Sequence, residues 1–450
     1  MKLRVISAAI AASIALAPAT LLAAAGDVPS PTVENRGGTT IVRQADPHSS
    51  LVGIVLVVHA GLDRQTMKQS GLAALVAQTI LRTPVTLPSA KGPAATMPLE
   101  QAVAANGGSV RFTIDPGDVR VYVEALAPDA PAVVALVRQA LSAPDFAPAT
   151  VRDARSTLTH GLAQSQQHSQ YALQVGLDML NQASSPEANA GLPALGTATS
   201  LAQLVPADVA TFYHTYYRRG GAVVSAAGKL DALDPDALAS LVDALAEGTT
   251  AAVTVRVPAL RGSSREIVAH RDIASPWLIA QYPAPSVDSK DFGAMLVLSA
   301  FVGRTLAEMA QVPGSVSPSF ASRAVGAEYS YDRVPAHLVL YVNGGIGNPS
   351  RTFATALSIV NVLASTRLAG TIDQFKAEAA GDFATGATTL ETRAWLAAVF
   401  SRGSASPDFL GRALRAIAAT TPADVQRVAR TYLGTPTIAL VLPRDGNDQN

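Results

Sequence analysis

The chain has 450 residues, room for two or three domains at about 150 residues each. Its 34 basic and 34 acidic side chains cancel, which argues against the basic excess of a nucleic-acid binder. Hydrophobic residues make up 48% and charged residues 15%, a globular composition rather than a disordered one, and the absence of cysteine excludes disulfides, Cys-ligated metals and thiol nucleophiles.

Lys2 and Arg4 open the chain as a short positive region. Val5–Ala17 is apolar apart from Ser7 and Ser13, Pro18 breaks the run, and Ala23-Ala24-Ala25 supplies small residues. This is the pattern of a secretory signal peptide over residues 1–25, cleaved near Ala25. The apolar run is shorter than the ~20 residues that a membrane span needs. The expected product is periplasmic or secreted and has no stable membrane anchor.

Thr39–Arg43 and Leu51–Val58 have strand composition, and Ala60-Gly61 is a turn. From about Gly71, Leu72, Leu75, Val76 and Ile80 recur at helical spacing, with Ser70 as the expected N-cap. Asn106-Gly107-Gly108 is a turn signal, and Val110–Ile114 and Val119–Leu126 flank Pro116-Gly117 as a hairpin. Helices are expected over Ala130–Ser142 and from about Ala149, the second running through Val151–Gln170. Residues 246–264, with Gly248, Pro258 and Gly262-Ser263-Ser264, have the composition of a linker. The order then repeats: strand Trp277–Tyr282, helix Phe292–Phe301, strands Tyr329–Asp332 and His337–Val342, helices to Thr431, and a polar tail over 445–450.

The repetition is visible in the residues themselves. Val205-Pro-Ala-Asp-Val209 returns 216 residues later as Thr421-Pro-Ala-Asp-Val425. At the same offset Tyr216 matches Tyr432, and the run Ala222–Ala227 matches Ile438–Pro443. The fold class is therefore α+β: two homologous domains over 35–245 and 265–444, each an antiparallel or mixed sheet packed with helices.

A strand ends at Ala60-Gly61 and Ser70-Gly-Leu-Ala73 opens a helix. A Gly-Gly turn, two strands, a long helix and a Pro-x-Asp-Val helix ending in Tyr216 complete the set. In this order, and in both halves, the chain resembles the insulinase/pitrilysin-type peptidases (M16, the inverted zincins). Those enzymes carry His-x-x-Glu-His after Gly-(Leu/Ile)-Ala. Two histidines on one helical face ligate zinc, and the glutamate between them takes a proton from the metal-bound water. The resemblance puts these three positions at Ala74, Ala77 and Gln78. The family's distal glutamate ligand falls near Gly161, in a helix without any glutamate. The resemblance thus implies a non-catalytic member that lacks the zinc motif and holds no metal itself.

In the second half, Ser322-Arg-Ala-Val-Gly-Ala-Glu-Tyr-Ser-Tyr331 resembles the family stretch whose Arg and Tyr hold substrate and polarise its carbonyl. Gly326 and Ser330 set the register, which makes Arg323 and Tyr329 the matching pair. The spacing is one residue short of the family's, so Tyr331 is the competing assignment. The family frame implies a heterodimer with a zinc-bearing M16 subunit, zinc in that partner, and an extended peptide along the strand edge after Gly107-Gly108. The alternative is a catalytically dead peptide-binding or scaffold protein of the same fold.

Overall fold

The computed structural model describes residues 30–87, 95–168, 170–184, 189–250, 265–311, 325–332, 335–343, 371–402 and 406–444. The expected signal peptide and the polar tail lie outside the described residues. In the first half, β1 (Thr32–Arg36), β2 (Thr39–Ala45) and β3 (Leu51–Val58) lead to α1 (Leu72–Arg82). A short ribbon of β4 (Pro84–Thr86) and β5 (Thr96–Pro98) and then α2 (Leu99–Ala105) precede the hairpin of β6 (Gly108–Ile114) and β7 (Val119–Leu126). Helices α3 (Ala130–Ser142), α4 (Pro148–Ser165), α5 (Tyr171–Ser184), α6 (Ala198–Gln203) and α7 (Pro206–Tyr216) follow. β8 (Arg218–Gly220), β9 (Val223–Gly228), α8 (Pro235–Asp243) and β10 (Ala246–Thr249) close this half.

The second half contains β11 (Arg265–Arg271), β12 (Trp277–Pro283), α9 (Phe292–Gln311), β13 (Val325–Ser330) and β14 (His337–Asn343). After them come α10 (Ile372–Gly386), α11 (Leu390–Ser401), α12 (Phe409–Ala419), α13 (Pro422–Tyr432) and β15 (Thr437–Pro443). The first sheet has the order β1-β2-β9-β3-β7-β6 and the second β11-β15-β12-β14-β13. In each, one parallel pair (β2 with β9, β11 with β15) adjoins a run of antiparallel pairs. Apart from β1, the two sheets have one topology.

The repeated Pro-Ala-Asp motif has the same local role in both halves. Pro206 and Pro422 take the first helical turn, where proline's missing N–H costs nothing. The Asp208 carboxylate accepts the Val205 N–H at 2.8 Å, and the Asp424 carboxylate accepts the Thr421 N–H at 3.1 Å.

β3 is apolar along its whole length because both of its faces are covered. Ile54, Leu56 and Val58 pack into the first half's own core, with α1, α3 and α7. Val55 and Val57 face the other way, into a core shared with Trp395, Leu396 and Ala398 of α11. The reverse also holds: α5 of the first half lies on β12 and β15 of the second sheet. There Ala172 and Leu180 are buried with Trp277, Ile279 and Val441. Both contacts are close. A Cβ on Gly53 would meet the Leu390 side chain at 2.6 Å, and one on Gly176 would collide with Ile279.

Polar groups fix the α11 contact. Buried Arg393 donates from Nε to Gln44 Oε1 at 3.1 Å and from Nη1 to Asp46 Oδ2 at 2.8 Å. That hydrogen bond holds the Asp46 carboxyl below its ordinary range. Arg111 of β6 pairs with Glu391, and the Trp395 indole donates to Asp332 at 3.0 Å beneath the Arg120 guanidinium.

Four local expectations change. Ser70 is not the N-cap of α1. Gly71 holds that position at φ +89°, and Gln65 reaches round so that its Oε1 accepts the Ala73 N–H at 3.0 Å. The strand expected over Tyr329–Asp332 is Val325–Ser330, and Tyr331 and Asp332 form the turn after it. Gly326 conceals the strand start, because its bare backbone is needed under the Tyr341 ring. α9 continues past Phe301 to Gln311. Within 246–264, Ala246–Thr249 form β10 and pair with β8, while 251–264 lie outside the described residues.

Arg393→Ala strands Asp46 and Gln44 at a buried contact between the halves. The expected loss is about 3 kcal/mol or more in denaturant unfolding. A loss below about 1 kcal/mol would show that apolar packing alone holds α11 in place.

Candidate functional site

α1 and α4 pack side by side and run antiparallel. At the C-terminal end of α1, the Thr83 hydroxyl accepts the N–H of Asp145, which stands just before α4. One residue earlier, Arg82 donates to Thr157 Oγ1 of α4 at 3.0 Å and pairs with Glu100 of α2 at 2.7 Å. One turn back along α1 from Arg82 is Gln78, and one turn on along α4 from Thr157 is Gly161. The resemblance assigns its metal positions to these two helices, at Ala74, Ala77 and Gln78 on α1 and near Gly161 on α4.

The groups at those four positions cannot hold zinc. Zinc takes imidazole, thiolate or carboxylate ligands. Ala74 and Ala77 present methyl groups, 3% and 2% exposed. Gln78 offers a neutral amide, and Gly161 has no side chain, with no heavy atom within 4 Å of where its Cβ would stand. Among the described residues no three His, Asp or Glu side chains come together as a metal-binding set. Gln78 is the only residue from Leu72 to Leu81 that is not buried.

The other predicted pair is placed only in part. Arg323 lies outside the described residues. Tyr329 sits on β13 in the second half's core, 7% exposed, with its ring 6.1 Å from Phe292. Its hydroxyl donates to the Pro285 carbonyl, and burial pushes the phenol well above its ordinary range. Tyr331 packs its ring 5.7 Å from Phe292 and 5.6 Å from Phe383, and burial raises it as well. Tyr329 and α1 belong to different cores, so this chain does not assemble them into one site.

A charged cluster that the sequence did not reveal joins the halves at the tip of β6 and β7. Asp118 takes His59 Nδ1 on one carboxylate oxygen and Arg402 Nη1 on the other, both at 2.7 Å. Burial alone would raise the Asp118 carboxyl. The hydrogen bonds from His59 and Arg402, with the charge of Arg402, outweigh it and hold the group at about 2. Nothing local to Asp118 announces this, since an acidic residue beside Pro116-Gly117 suits any exposed turn.

Residues 40–198 match the model of the family Insulinase (Peptidase family M16). The match covers the β2–α5 stretch, with the α1–α4 pair inside it. The fold is that of the M16 peptidases. A peptidase M16 inactive domain from Pseudomonas fluorescens superposes with a TM-score of 0.75 at 13% identity, over 93% of this chain and 98% of that one. A protease from Helicobacter pylori gives 0.74 at 13% identity, over 92% and 100%. A chain of Complex III2 from Candida albicans gives 0.65 at 14% identity, over 92% and 96%. A comparison with curated protein sequences finds no match. At these identities the M16 likeness is one of fold, and the chemistry has to be read from the residues above.

Two outcomes are expected here. The folded-state value of Asp118, about 2, lies below its unfolded value of about 3.9, so its contribution is present above about pH 4 and is lost as pH falls from there towards 2. In urea unfolding, Asp118→Asn should therefore be about 2 kcal/mol less stable than wild type near neutrality, with the gap closing in acid. Protein incubated with zinc and then desalted should retain none by elemental analysis. One zinc per chain would overturn this reading of Ala74, Ala77, Gln78 and Gly161.

Proposed function

We propose that this chain is the non-catalytic subunit of a heteromeric M16 metallopeptidase, exported after removal of residues 1–25 and paired with a zinc-bearing M16 chain. The observation that carries the reading is the α1–α4 pair. The two helices pack antiparallel, and the positions that the resemblance assigns to the metal hold Ala74, Ala77, Gln78 and Gly161, none of which can ligate it. An intact framework without ligands suits a protein retained for its shape and its contacts. The neighbour from Complex III2, a multi-chain assembly by its name, supports a life within complexes. Zinc would reside in the partner, and Arg323, with Tyr329 or Tyr331, would supply donors to the substrate carbonyl there.

The peptide would lie extended along β6, the outer strand of the first sheet, and add to it by backbone pairing. A second reading, a peptide-binding or scaffold protein with no part in catalysis, is favoured by one contact. The Tyr329 hydroxyl is committed to the Pro285 carbonyl and, as placed, has no proton left for a substrate.

The test is reconstitution. The mature chain alone should cleave no peptide. Mixed with the zinc-bearing chain that co-purifies with it, it should raise turnover above that of the partner alone. Arg323→Ala should lower that turnover about tenfold or more while the complex still elutes as one species. Unchanged turnover would leave the scaffold reading.

A further inference from the structure

The connection from β3 to α1 is pressed against the turn that joins β6 to β7. The Leu62 N–H donates to the Asp115 carbonyl at 3.1 Å, and the Asp63 N–H to the Pro116 carbonyl at 2.9 Å. No side chain fits between the two segments: a Cβ on Gly61 would stand 2.4 Å from the Asp118 nitrogen and 2.5 Å from the Asp115 carbonyl oxygen. This seating shuts in the Asp63 carboxyl, whose side chain is 7% exposed. Asp63 Oδ1 receives no hydrogen bond among the described residues. Arg64 offers it charge, with Nε at 3.3 Å, and the same guanidinium lies over the Tyr216 ring of α7. The turn itself carries two more carboxyls, each matched by side chains that donate to it. Asp115 takes Arg120 of β7, and Asp118 takes His59, just after β3, and Arg402, just after α11. Of these three carboxyls, a buried one that lacks a donor and stands near a second negative charge is the one that keeps its proton. Burial raises the Asp63 carboxyl to about 7; the charge of Arg64 opposes the rise, that of Asp118 adds to it and that of His59 opposes it.

We propose that this corner is a proton-operated clasp between the two halves, with Asp63 as the group that takes up and releases the proton. With Asp63 neutral, the β6–β7 turn seats on the β3–α1 connection and presents Asp118 to Arg402 of the other half. With Asp63 ionised, two carboxylates share the corner, the seat loosens, and the hold on Arg402 loosens with it. The folded-state value of Asp63, about 7, lies above its unfolded value of about 3.9. Its contribution is therefore present below about pH 4 and is lost as pH rises towards 7. Asp118 acts in the opposite sense, since its contribution is lost as pH falls below about 4. The clasp is closed most firmly in mild acid, at about pH 4 to 5.

The experiment is hydrogen–deuterium exchange of the full mature chain at pH 5 and pH 8, read by mass spectrometry on peptides that span 59–66 and 112–120. Each rate is divided by the intrinsic rate at that pH. In wild type the corrected exchange of these peptides should rise about tenfold or more from pH 5 to pH 8. In Asp63→Asn, which keeps the shape and carries no charge at either pH, the rise should vanish. In His59→Gln, which still offers Asp118 a donor, the rise should remain. Equal corrected exchange at the two pH values in wild type would overturn the proposal. A rise that survives in Asp63→Asn, or that disappears in His59→Gln, would overturn it too, because the proton would then belong to another group. Should Asp63→Asn not fold, wild type and His59→Gln decide the matter.

Discussion

The exchange of two helices between the halves is the contact on which the rest of the molecule depends. A sheet has two faces to shield from water, and each half covers one face with its own helices. The second face is covered by the other half: α11 over β2, β3 and β9, and α5 over β12 and β15. Without that exchange, Val55, Val57 and Val223 on one sheet and Trp277, Ile279 and Val441 on the other would face solvent. Neither sheet is finished without residues that lie more than 90 positions away along the chain.

The same constraint explains why the fold does not depend on what stands at the α1–α4 positions. Stability resides in the two cores and the exchanged helices. The α1–α4 level contributes through Ala74 and Ala77, whose methyl groups belong in an apolar interior better than imidazole or carboxylate would. Alanine there packs without a ligand to satisfy. Arg82, one turn further on, ties α1 to α2 and α4 through side-chain hydrogen bonds and ionic contacts, which fix how the helices sit against each other.

Much of the architecture is legible in the residues. β3, β7 and α3 end where hydrophobic patterning and turn signals place them, and the 216-residue offset carries α7 onto α13 residue for residue. Elsewhere the deciding partner is remote. Gln65 caps α1 from eight residues away and displaces Ser70. Arg393 finds Gln44 and Asp46 across nearly the whole chain, and Arg402 finds Asp118 in the same way. The resemblance assigns its metal positions to α1 and α4, and both helices form where the sequence places them. It said less about Tyr329, whose direction depends on where β13 begins. Starting at Val325, the strand sets Tyr329 opposite Leu338, in the core beside Phe292. Whether a strand residue faces in or out is a matter of parity, and parity is lost when a glycine hides the first residue of the strand.

The exchanged helices have the logic of a two-fold axis: helix of one half on the sheet of the other, and the converse. That is the relation within a self-complementary dimer of identical chains. In such a dimer every substitution is felt at both places at once, so neither contact can specialise. In a single chain the copies are separate inheritances. α11 has acquired Arg393 and Trp395, with ionic anchors, while α5 meets its sheet through Ala172, Gly176 and Leu180. Joining the halves end to end lets the residues of one contact change without asking the other to change.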